Sequence, residues 1–538
     1  MWRALLGRAL GLVAVLALLA AVANPEQSRA GAVAELPRES VETADVRSTG
    51  RVIAVAGGRD LQAALYRAQP GDVITLEARA TYTGPFTLPK KSGEDWIVIR
   101  TSAPDGSLPP TGTRVDPSYA SVMPKLVAAG APVLTTAPGA HHYRFLGIEI
   151  QPRDGVFLYN LVQLGARETS LEELPHHIVF DRCYLHGDPK KGTRRGIALN
   201  SRHTAVIDSH LSDFKEVGAD SQAIAGWNGP GPFKIINNYL EAAGENVMFG
   251  GADPSIPDLV PSDIEIRRNR FAKPLAWKAG EAAYEGTPWT VKNLLELKNA
   301  RRVLIEGNLF EHNWAHAQSG FAILFTVRNQ DGRAPWSLVE DVIFAHNVIR
   351  HAAAGVNILG RDDIHPSQQT RRVVIRNNVF NDLGDTRWGG PGRLFQLLNG
   401  TEGVVIEHNT ALHTGNVITA EGVPHRGFVY RNNVARHNGY GIIGTGTGSG
   451  QPTLERYFPG AIVEKNVLVG GNANQYPPGN FFPSSPDAVG FTNYRQGDFR
   501  LAPSSRYRRA GSDGKDIGAD LGALAEAMAG TGAEGAQR

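Results

Sequence analysis

The chain has 538 residues, of which 55 are basic and 53 acidic, and its formal net charge is +2. Without a strong charge excess or a long run of like charges, the composition argues against a nucleic-acid-binding protein. A single cysteine, Cys183, excludes an intrachain disulfide. Glycine accounts for 61 residues, more than the usual share of about 7%, and this excess indicates many tight turns.

The N-terminal residues 1–23 have the pattern of a cleaved secretory signal. Arg3 and Arg8 precede an apolar run over 9–23 that ends in small residues. A run of about 15 residues is shorter than the roughly 20 needed to cross a bilayer. We therefore expect a secreted or periplasmic protein without stable membrane insertion, in which residues 24–50 form a linker. Removal of the signal leaves 53 basic and 53 acidic residues.

A short helix is predicted directly after this linker. Asp60 is suited to cap it, because a carboxylate accepts hydrogen bonds from the free N–H groups of a first helical turn. Apolar residues then fall on one face of the helix, at Leu61, Ala64, Leu65 and Ala68. Such a helix would cover the open end of a repeat structure.

The rest of the chain contains a repeat marked by asparagine. Short apolar runs recur along the chain, and each run precedes a marker residue that is usually asparagine. The marker residues are 24 to 39 residues apart and form a predicted column that consists of Cys183, His210, Asn238, Asn269, Asn308, Asn347, Asn378, Asn409, Asn433 and Asn466. Each apolar run is only four or five residues long and is rich in Val, Ile and Phe, which favours strands. A fixed unit at this spacing is typical of a solenoid.

The sequence therefore predicts an all-β, single-domain right-handed parallel β-helix over residues 51–510, with a C-terminal tail over 511–538. Coils of this fold stack at about 4.8 Å. The asparagine side chains are then expected to stack in one column and to hydrogen-bond from coil to coil, as amide ladders do. Their predicted role is structural.

Both ends of the repeat resemble a known group of proteins. The chain is similar to pectate-lyase-like right-handed β-helix proteins, including the chondroitinase B and alginate lyase family. The resemblance rests on Leu61-Gln62-Ala63-Ala64, Gln69-Pro70-Gly71-Asp72-Val73-Ile74-Thr75-Leu76, Tyr82-Thr83-Gly84-Pro85-Phe86, Asp498-Phe499-Arg500-Leu501 and Asp516-Ile517-Gly518-Ala519. It implies a parallel β-helix over most of residues 52–520. This fold hosts lyases, hydrolases, esterases and non-catalytic adhesins.

A second strand in each coil begins with a polar residue. With side chains alternating between faces, these residues are expected to line one outer stripe, formed by Gln222, Asn246, Glu296, Thr326, Asn357 and Gln396. A polar stripe along successive coils suits an extended polymer. We interpret Gln222, Asn246 and Asn357 as candidates for binding its hydroxyl or carboxylate groups.

Two similar quartets within this stripe, at 296–299 and 326–329, contain Lys298 and Arg328. If the quartets align, the two cations lie on adjacent coils, and their repulsion favours the neutral amine of Lys298. Lys298 then serves as a base and Arg328 stabilises developing negative charge. In the alternative interpretation, Glu296 and other acids neutralise a solvated cation pair.

The resemblance adds an expectation about these residues. Chondroitinase-B-like lyases carry a lysine shortly after acidic residues on one coil and an arginine about one coil later. In this chain one residue separates Glu296 from Lys298, which is a shorter gap than in that family. The resemblance implies that Glu296 orients Lys298 or binds a cation such as Ca²⁺. No cofactor follows from the sequence with certainty.

The function predicted from these features is that of a monomeric, exported enzyme acting on a polysaccharide, with uronate β-elimination as the leading reaction. A glycoside hydrolase using Glu241 and Glu245 is one alternative. A non-catalytic carbohydrate-binding or surface β-helix is another. Trp227 and Trp314 either stack on sugar rings or fix long loops to the wall of the solenoid.

Overall fold

The computed structural model describes residues 33–46 and 48–531, in which the chain winds through three long parallel sheets. Each full coil contributes one strand to sheet A, then one to sheet B and one to sheet C. This arrangement confirms the predicted right-handed parallel β-helix. The predicted signal over 1–23 lies outside the described residues.

The strands are numbered β1 to β41 in chain order. Sheet A consists of β1 (Val52–Val55), β2 (Val73–Leu76), β5 (Ile97–Thr101), β8 (His141–Leu146), β11 (His176–Asp181), β14 (Arg202–Ile207), β17 (Phe233–Ile236), β20 (Ser262–Arg267), β23 (Ala300–Glu306), β26 (Val339–Ala345), β29 (Arg371–Arg376), β32 (Glu402–Glu407), β35 (Val429–Arg431) and β38 (Ile462–Glu464). Sheet B consists of β3 (Thr81–Thr83), β6 (Lys125–Ala128), β9 (Glu149–Pro152), β12 (Tyr184–His186), β15 (His210–Phe214), β18 (Tyr239–Ala242), β21 (Arg270–Ala272), β24 (Leu309–Asn313), β27 (Val348–Ala352), β30 (Val379–Leu383), β33 (Thr410–His413), β36 (Val434–Arg436) and β39 (Val467–Val469). Sheet C consists of β4 (Phe86–Leu88), β7 (Leu134–Thr136), β10 (Asn160–Leu164), β13 (Arg195–Leu199), β16 (Gln222–Gly226), β19 (Glu245–Phe249), β22 (Asn293–Leu297), β25 (Phe321–Thr326), β28 (Ala354–Leu359), β31 (Phe395–Leu398), β34 (Ile418–Glu421) and β37 (Ile442–Gly444).

The remaining elements are short. An antiparallel pair joins β40 (Phe491–Asn493) to β41 (Asp498–Leu501). The α-helices are α1 (Leu61–Arg67), α2 (Gln451–Tyr457) and α3 (Leu521–Ala527). The 3₁₀ helices are Asp105–Ser107, Pro117–Val122, Leu275–Trp277, Ala473–Gln475, Pro486–Val489 and Tyr494–Gln496. In the part of the chain that the structure describes, every helix is too short or too polar to cross a membrane.

The predicted asparagine column is confirmed as a hydrogen-bonded ladder at the turn from sheet A to sheet B. Asn308 Oδ1 accepts from both the backbone N and the side-chain Nδ2 of Asn269, at 2.9 and 3.1 Å. Asn308 Nδ2 in turn donates to Asn347 Oδ1 at 3.0 Å and to the Ile266 carbonyl oxygen at 2.9 Å. The same pattern extends from Asn238 to Asn466, so every amide in the ladder is buried and satisfied.

The ladder differs from the prediction at its two ends. Ser209, not His210, occupies the column, since Ser209 N donates to Asn238 Oδ1 and Cys183 N donates to Ser209 Oγ. His210 is instead the first residue of β15, where its ring stacks on Tyr239. Asn480 extends the ladder beyond Asn466, although it belongs to no regular coil. A serine hydroxyl can replace the amide because the position needs only one acceptor, which receives the backbone N–H of the ladder residue on the preceding coil.

The predicted capping helix is confirmed as α1. Asp60 Oδ1 accepts from Ala63 N at 2.9 Å, and the buried face of the helix consists of Leu61, Ala64 and Leu65. These side chains belong to the same apolar cluster as the interior of the coils. Helix α1 therefore covers the first coil.

The described part of the predicted linker is packed on the solenoid. Residues 33–46, which we call the N-terminal strap, run across the outer face of sheet A. The backbone N–H groups of Glu35 and Arg38 donate to the carboxylates of Asp341 and Asp263, at 3.0 and 2.8 Å. The strap is held because its backbone donates to carboxylates on β20 and β26, two strands of sheet A that are separated by β23. Composition alone does not reveal this pairing.

We expect the ladder to contribute strongly to stability. Asn308→Ala removes one acceptor and two donors from a buried site and leaves Asn269 and Asn347 with unsatisfied groups, so it should lower the free energy of unfolding by about 3 kcal/mol or more. Guanidinium denaturation measures this loss. Asn474→Ala, at an exposed position, is the matched control and should change stability by less than about 0.5 kcal/mol. Equal effects of the two substitutions would contradict a stabilising ladder.

Candidate active site

The strands of sheet C present their outward side chains in two columns. From β10 to β28, each strand starts with one outward residue, follows it with two inward residues, and turns outward again at the fourth position. In β22, for example, Leu294 and Leu295 both lie in the apolar interior, whereas Asn293 and Glu296 face outward. Column 1 contains Asn160, Arg195, Gln222, Glu245 and Asn293 in register. Column 2 contains Gln163, Ala198, Ala225, Met248, Glu296, Leu324, Asn357 and Gln396.

Column 1 is a continuous polar chain across coils. The Arg195 guanidinium donates to Asn160 Oδ1 and to Gln222 Oε1, both at 3.0 Å. Gln222 Nε2 then donates to Glu245 Oε2 at 2.8 Å. Gln222 thus has a partner on each neighbouring coil, and its amide fixes the positions of one cation and one carboxylate.

Arg195 is a cation without an acidic partner. Among the described residues, Arg195 forms no ion pair within 4.0 Å, although Glu245, Asp220 and Glu216 act on its charge from a longer distance. Its guanidinium lies 5.1 Å from the centroid of the Trp227 ring. Burial, with the nearby charge of Arg194, lowers the pKa of Arg195 to about 10, so the group still carries its proton at neutral pH. Its positive charge is available to an anionic ligand.

Glu245 provides the carboxylate of column 1, and its side chain is fully buried. Its Oε1 has no hydrogen-bond partner among the described residues and lies 3.7 Å from Lys292 Nζ, which also contacts Asp220 at 2.5 Å. Burial, followed by the negative charge of Glu296, raises the pKa of Glu245 above its ordinary range. Glu245 therefore binds its proton more tightly than an ordinary glutamate.

Lys298 follows the end of β22 and lies beside Glu296. Lys298 Nζ is 3.7 Å from Glu296 Oε1, and the amine is partly exposed. Gly250 allows this approach: its φ is +96°, and a Cβ there would lie 2.8 Å from the Cβ of Lys298. A side chain at Gly250 would therefore displace the lysine.

Arg328 lies one coil beyond Lys298, as the sequence predicts. Its backbone N donates to the Lys298 carbonyl oxygen at 2.9 Å. Its guanidinium contacts Asp362 Oδ1 at 2.7 Å and also binds Asp363. Burial lowers the pKa of Arg328, but the hydrogen bonds to Asp363 and Asp362 outweigh burial and raise it. The expected repulsion with Lys298 is offset by these two acids.

A groove opens over the outer face of β10 and β13 in sheet C. It has a volume of about 660 Å³. Its lining includes Tyr159, Asn160, Gln163, Arg167, Arg195, Trp227, Asp253 and Arg333. The loop that begins at Gly250, beside Lys298, carries Asp253 into the lining, and the loop after Arg328 carries Arg333. A larger cavity of about 760 Å³ lies under the C-terminal segment 508–523, away from this cluster.

The arrangement can bind an extended anionic sugar chain. Arg195 and the amides of column 1 offer a cation and neutral hydrogen-bonding groups, and Trp227 offers a flat apolar face. Lys298, Glu296 and Arg328 provide a candidate base, an acid and a fixed cation within two adjacent coils. Lys298, Glu296 and Arg328 do not line the groove, and Glu296 on β22 lies three strands beyond Arg195 on β13 in sheet C. The binding groups and the groups capable of proton transfer therefore lie along the same sheet but on different coils.

The expected calcium-binding role of Glu296 stays a prediction. Glu245 Oε1 and Asn293 Oδ1 lack hydrogen-bond partners among the described residues, so two oxygens are available. However, Lys292 and Lys298 each lie 3.7 Å from a carboxylate and supply the neutralising charge. Ca²⁺ requires six to eight oxygen ligands, and in residues 33–46 and 48–531 no three acidic side chains converge on sheet C within 4.8 Å.

Asn246 and Thr326 do not occupy the positions that the sequence predicts. Asn246 points inward, where its Nδ2 donates to the carbonyl oxygens of Leu240 and Ala272, and its Oδ1 accepts from Lys273 Nζ at 3.0 Å. Thr326 lies two residues beyond the Glu296 register, at which Leu324 faces outward instead. The Asn246 error arises because two consecutive inward residues interrupt the assumed alternation. Thr326 still faces outward, and its hydroxyl donates to Glu296 Oε1 at 3.3 Å.

Glu241 and Trp314 also lie outside the groove. Glu241 faces outward from sheet B, where its carboxylate accepts from Tyr239 Oη and Asp213 N, both at 2.9 Å. Glu241 and Glu245 therefore lie on different sheets and do not form a carboxylate pair across one bond. Trp314 is buried in a cluster with Trp277, Trp289 and Trp388 that fixes loops to the solenoid.

Asn357 remains in the predicted stripe. It lies in column 2 next to Gln396, whose Nε2 donates to Asn357 Oδ1 at 3.4 Å. Sequence reasoning missed Arg195, Asn160 and the acids Asp362 and Asp363. The signal that could have identified Arg195 is its position directly before an apolar strand, one coil before Gln222.

The burial of Glu241 predicts a pH-dependent stability. Burial, followed by the nearby Asp213, raises the pKa of Glu241 to about 7 in the folded protein. A raised carboxyl pKa contributes stability at pH below 4.5 and loses it as pH rises towards 7. Relative to Glu241→Gln, the wild type should therefore lose on the order of 3 kcal/mol of unfolding free energy between pH 4.5 and 7.5.

Denaturant unfolding at several pH values measures this difference. Glu421→Gln replaces an exposed carboxyl and is the matched control, expected to follow the wild type. Parallel curves for the wild type and Glu241→Gln would show that the Glu241 carboxyl is not perturbed.

Comparison with known proteins identifies the fold. No family model and no curated protein sequence matches this chain. The catalytic unit of a thermostable GH87 α-1,3-glucanase from Streptomyces thermodiastaticus strain HF3-3 is 13% identical over 84% of this chain and 72% of that chain, with a TM-score of 0.50. The PL6 family alginate lyase AlyGC is 14% identical over 87% of this chain and 58% of its own, with a TM-score of 0.46. Pectate lyase Pel9A is 14% identical over 88% and 96%, with a TM-score of 0.36. At 13% identity, the likeness to the glucanase unit, with its TM-score of 0.50, shows a shared fold and nothing more.

Proposed function

We propose that this chain is an exported polysaccharide lyase that cleaves a uronate-containing polymer by β-elimination. The observation that carries the proposal is Arg195, a cation at the groove with neutral hydrogen-bond partners, a facing indole and no carboxylate within 4.0 Å among the described residues. A guanidinium placed in this way is suited to a carboxylate, because it can form paired, charge-assisted hydrogen bonds.

The proposed reaction uses the groups at the end of β22. In β-elimination a base removes the proton beside the uronate carboxylate, the electrons form a C=C bond, and the glycosidic C–O bond breaks. The leaving oxygen then takes up a proton. Lys298 in its neutral form is the proposed base, and Arg328 on the next coil stabilises negative charge on the carboxylate. Glu296, 3.7 Å from Lys298 Nζ, holds the amine in position.

A hydrolase is the second candidate. Burial and Glu296 raise the pKa of Glu245, so this carboxyl retains its proton at higher pH than an ordinary glutamate. A protonated acid beside an ionised one is the arrangement that glycoside hydrolysis uses. In this reaction Glu245 would donate the proton and Glu296 would act as the base or nucleophile.

A panel of neutral and uronate-containing polysaccharides distinguishes these candidates. Unsaturated uronates absorb at about 235 nm, and both reactions create reducing ends. We expect both signals with a uronate polymer. Reducing ends alone would replace the lyase with the hydrolase, and binding without cleavage would indicate a carbohydrate-binding β-helix.

Lys298→Ala and Arg328→Ala should each remove nearly all turnover without unfolding the protein. If the two side chains act in one step, the double variant should lose far less than the product of the two separate losses. Lys298→Arg should remain inactive, since a guanidinium does not give up its proton. Initial rates on the preferred polymer measure these effects. Lys191→Ala, at an exposed position, is the control, and wild-type rates in either single variant would refute the assignment.

Arg195→Met should weaken binding of a uronate polymer while leaving that of a neutral glucan unchanged. Loss of a charge-assisted pair of hydrogen bonds is expected to raise KM by roughly tenfold to a hundredfold. Trp227→Ala should weaken binding of charged and neutral polymers alike, because stacking does not depend on charge. Steady-state kinetics and affinity electrophoresis measure both effects. An unchanged KM in Arg195→Met would remove this residue from substrate binding.

A further inference from the structure

Two adjacent strands of sheet A begin with a pair of histidines. His141 and His142 start β8, and His176 and His177 start β11, with His141 and His176 in register. His142 and His177 have left-handed backbone angles, φ +59° and +53°. This conformation turns the second ring of each pair towards the first. The two Nδ1 atoms of each pair then lie 2.8 and 2.7 Å apart.

The four rings also stack from coil to coil. His141 lies over His176 with centroids 4.8 Å apart, and His142 lies over His177 at 4.4 Å, with an interplanar angle of 6° in both cases. Ring nitrogens of His142, His176 and His177 all lie within 4.8 Å of one another. No other group of three such ligand side chains is that close in residues 33–46 and 48–531.

The hydrogen bonds fix one tautomer in the cluster. His141 Nε2 lies 3.1 Å from the Lys91 carbonyl oxygen, and because a carbonyl only accepts, this nitrogen carries the proton. In neutral His141 the lone pair is then on Nδ1, which accepts from the Nδ1–H of His142. The outer nitrogen of His142, Nε2, consequently carries a free lone pair. Neutral imidazoles with free lone pairs are metal ligands.

We propose that His142, His176 and His177 bind one Zn²⁺ ion, with His141 positioning His142. Zinc binds imidazole nitrogen at 2.0–2.1 Å, so tetrahedral ligands lie roughly 3.4 Å apart. To reach this spacing, the rings of His142 and His177 rotate out of their nearly parallel stack, because a bound ion lies in the plane of each imidazole that ligates it. Where an Nδ1 becomes a ligand, its proton moves to Nε2 of the same ring, so that binding requires no net loss of a proton. An all-imidazole set favours zinc over magnesium or calcium.

The electrostatic surroundings are compatible with a bound cation. Burial is the main factor that lowers the pKa values of these rings, to about 4 for His142 and His177 and about 3 for His176, so they are neutral at pH 7. Arg202 adds an unfavourable positive charge next to His176. The carboxylates of Glu94 and Asp95 face His142 and offset that charge.

The proposed ion would join two coils near the N-terminal strap. The column of rings continues to His203, which stacks on His177 at 4.5 Å and lies 3.8 Å from Glu39 of the strap. The site lies on sheet A, and the groove lies on sheet C. The proposal is therefore independent of the proposed polysaccharide cleavage.

Equilibrium dialysis of the full chain without a histidine tag tests the proposal with Zn²⁺ alone. We expect one Zn²⁺ per chain and a higher thermal unfolding midpoint with zinc. The double variant His142→Asn/His177→Asn should weaken Zn²⁺ binding by more than about 100-fold. Loss of a residue that only positions a ligand typically weakens metal binding by about 10- to 100-fold, so a larger loss indicates that ligands were removed. His365→Asn, which changes a partly buried ring in a distant loop, is the control and should bind as the wild type does. Unchanged binding in the double variant would overturn the proposal.

X-ray absorption at the zinc edge of the wild-type protein gives a second measurement that does not depend on a variant folding. Three imidazole nitrogens at about 2.0 Å are expected. Coordination by oxygen alone, or no zinc retained after dialysis, would overturn the proposal and leave the four rings as a stacked structural column.

Discussion

The structure depends on the hydrogen bonding of each coil to the next. Parallel pairing fixes adjacent coils at about 4.8 Å, and the asparagine ladder adds a buried side-chain contact to every step from Asn238 to Asn466. Because each Asn Oδ1 accepts from the backbone N–H and from the side-chain amide of the ladder residue on the preceding coil, the ladder also fixes the register between coils. A shift of one residue in the register between two coils would leave buried amides of the ladder unsatisfied.

This register determines what the outer surface can do. Side chains from residues that lie 23 to 48 positions apart in sequence come into contact because their strands pair in sheet C. Arg195 thereby obtains its neutral partners, and Glu245 obtains Glu296 as a charged neighbour. The insertions after β21, β24 and β30 are fixed by buried tryptophans instead of lining the groove. The same stacking brings two pairs of histidines together on sheet A.

The sequence was sufficient to predict the architecture, because its signals are local. Asp60 and the apolar face that follows it predict the capping helix, and the asparagine spacing predicts the coils. The prediction from sequence failed where more than one residue type can supply the needed hydrogen bond, as at Ser209. It also failed where the side chains of a strand do not alternate strictly between faces, as at Asn246. Lys298 and Arg328 were correctly predicted to be on adjacent coils. The acids that bind Arg328 lie in the next insertion, at Asp362 and Asp363, and no repeat pattern points to them.

The central functional claim is that a carboxylate on the substrate is recognised at the groove of sheet C. The most direct test compares one uronate polymer with the same polymer after chemical reduction of its carboxyl groups to alcohols, at equal chain length. The account predicts cleavage of the native polymer and none of the reduced one, because reduction removes both the partner of Arg195 and the group that acidifies the adjacent proton. Equal cleavage of the two polymers would contradict it.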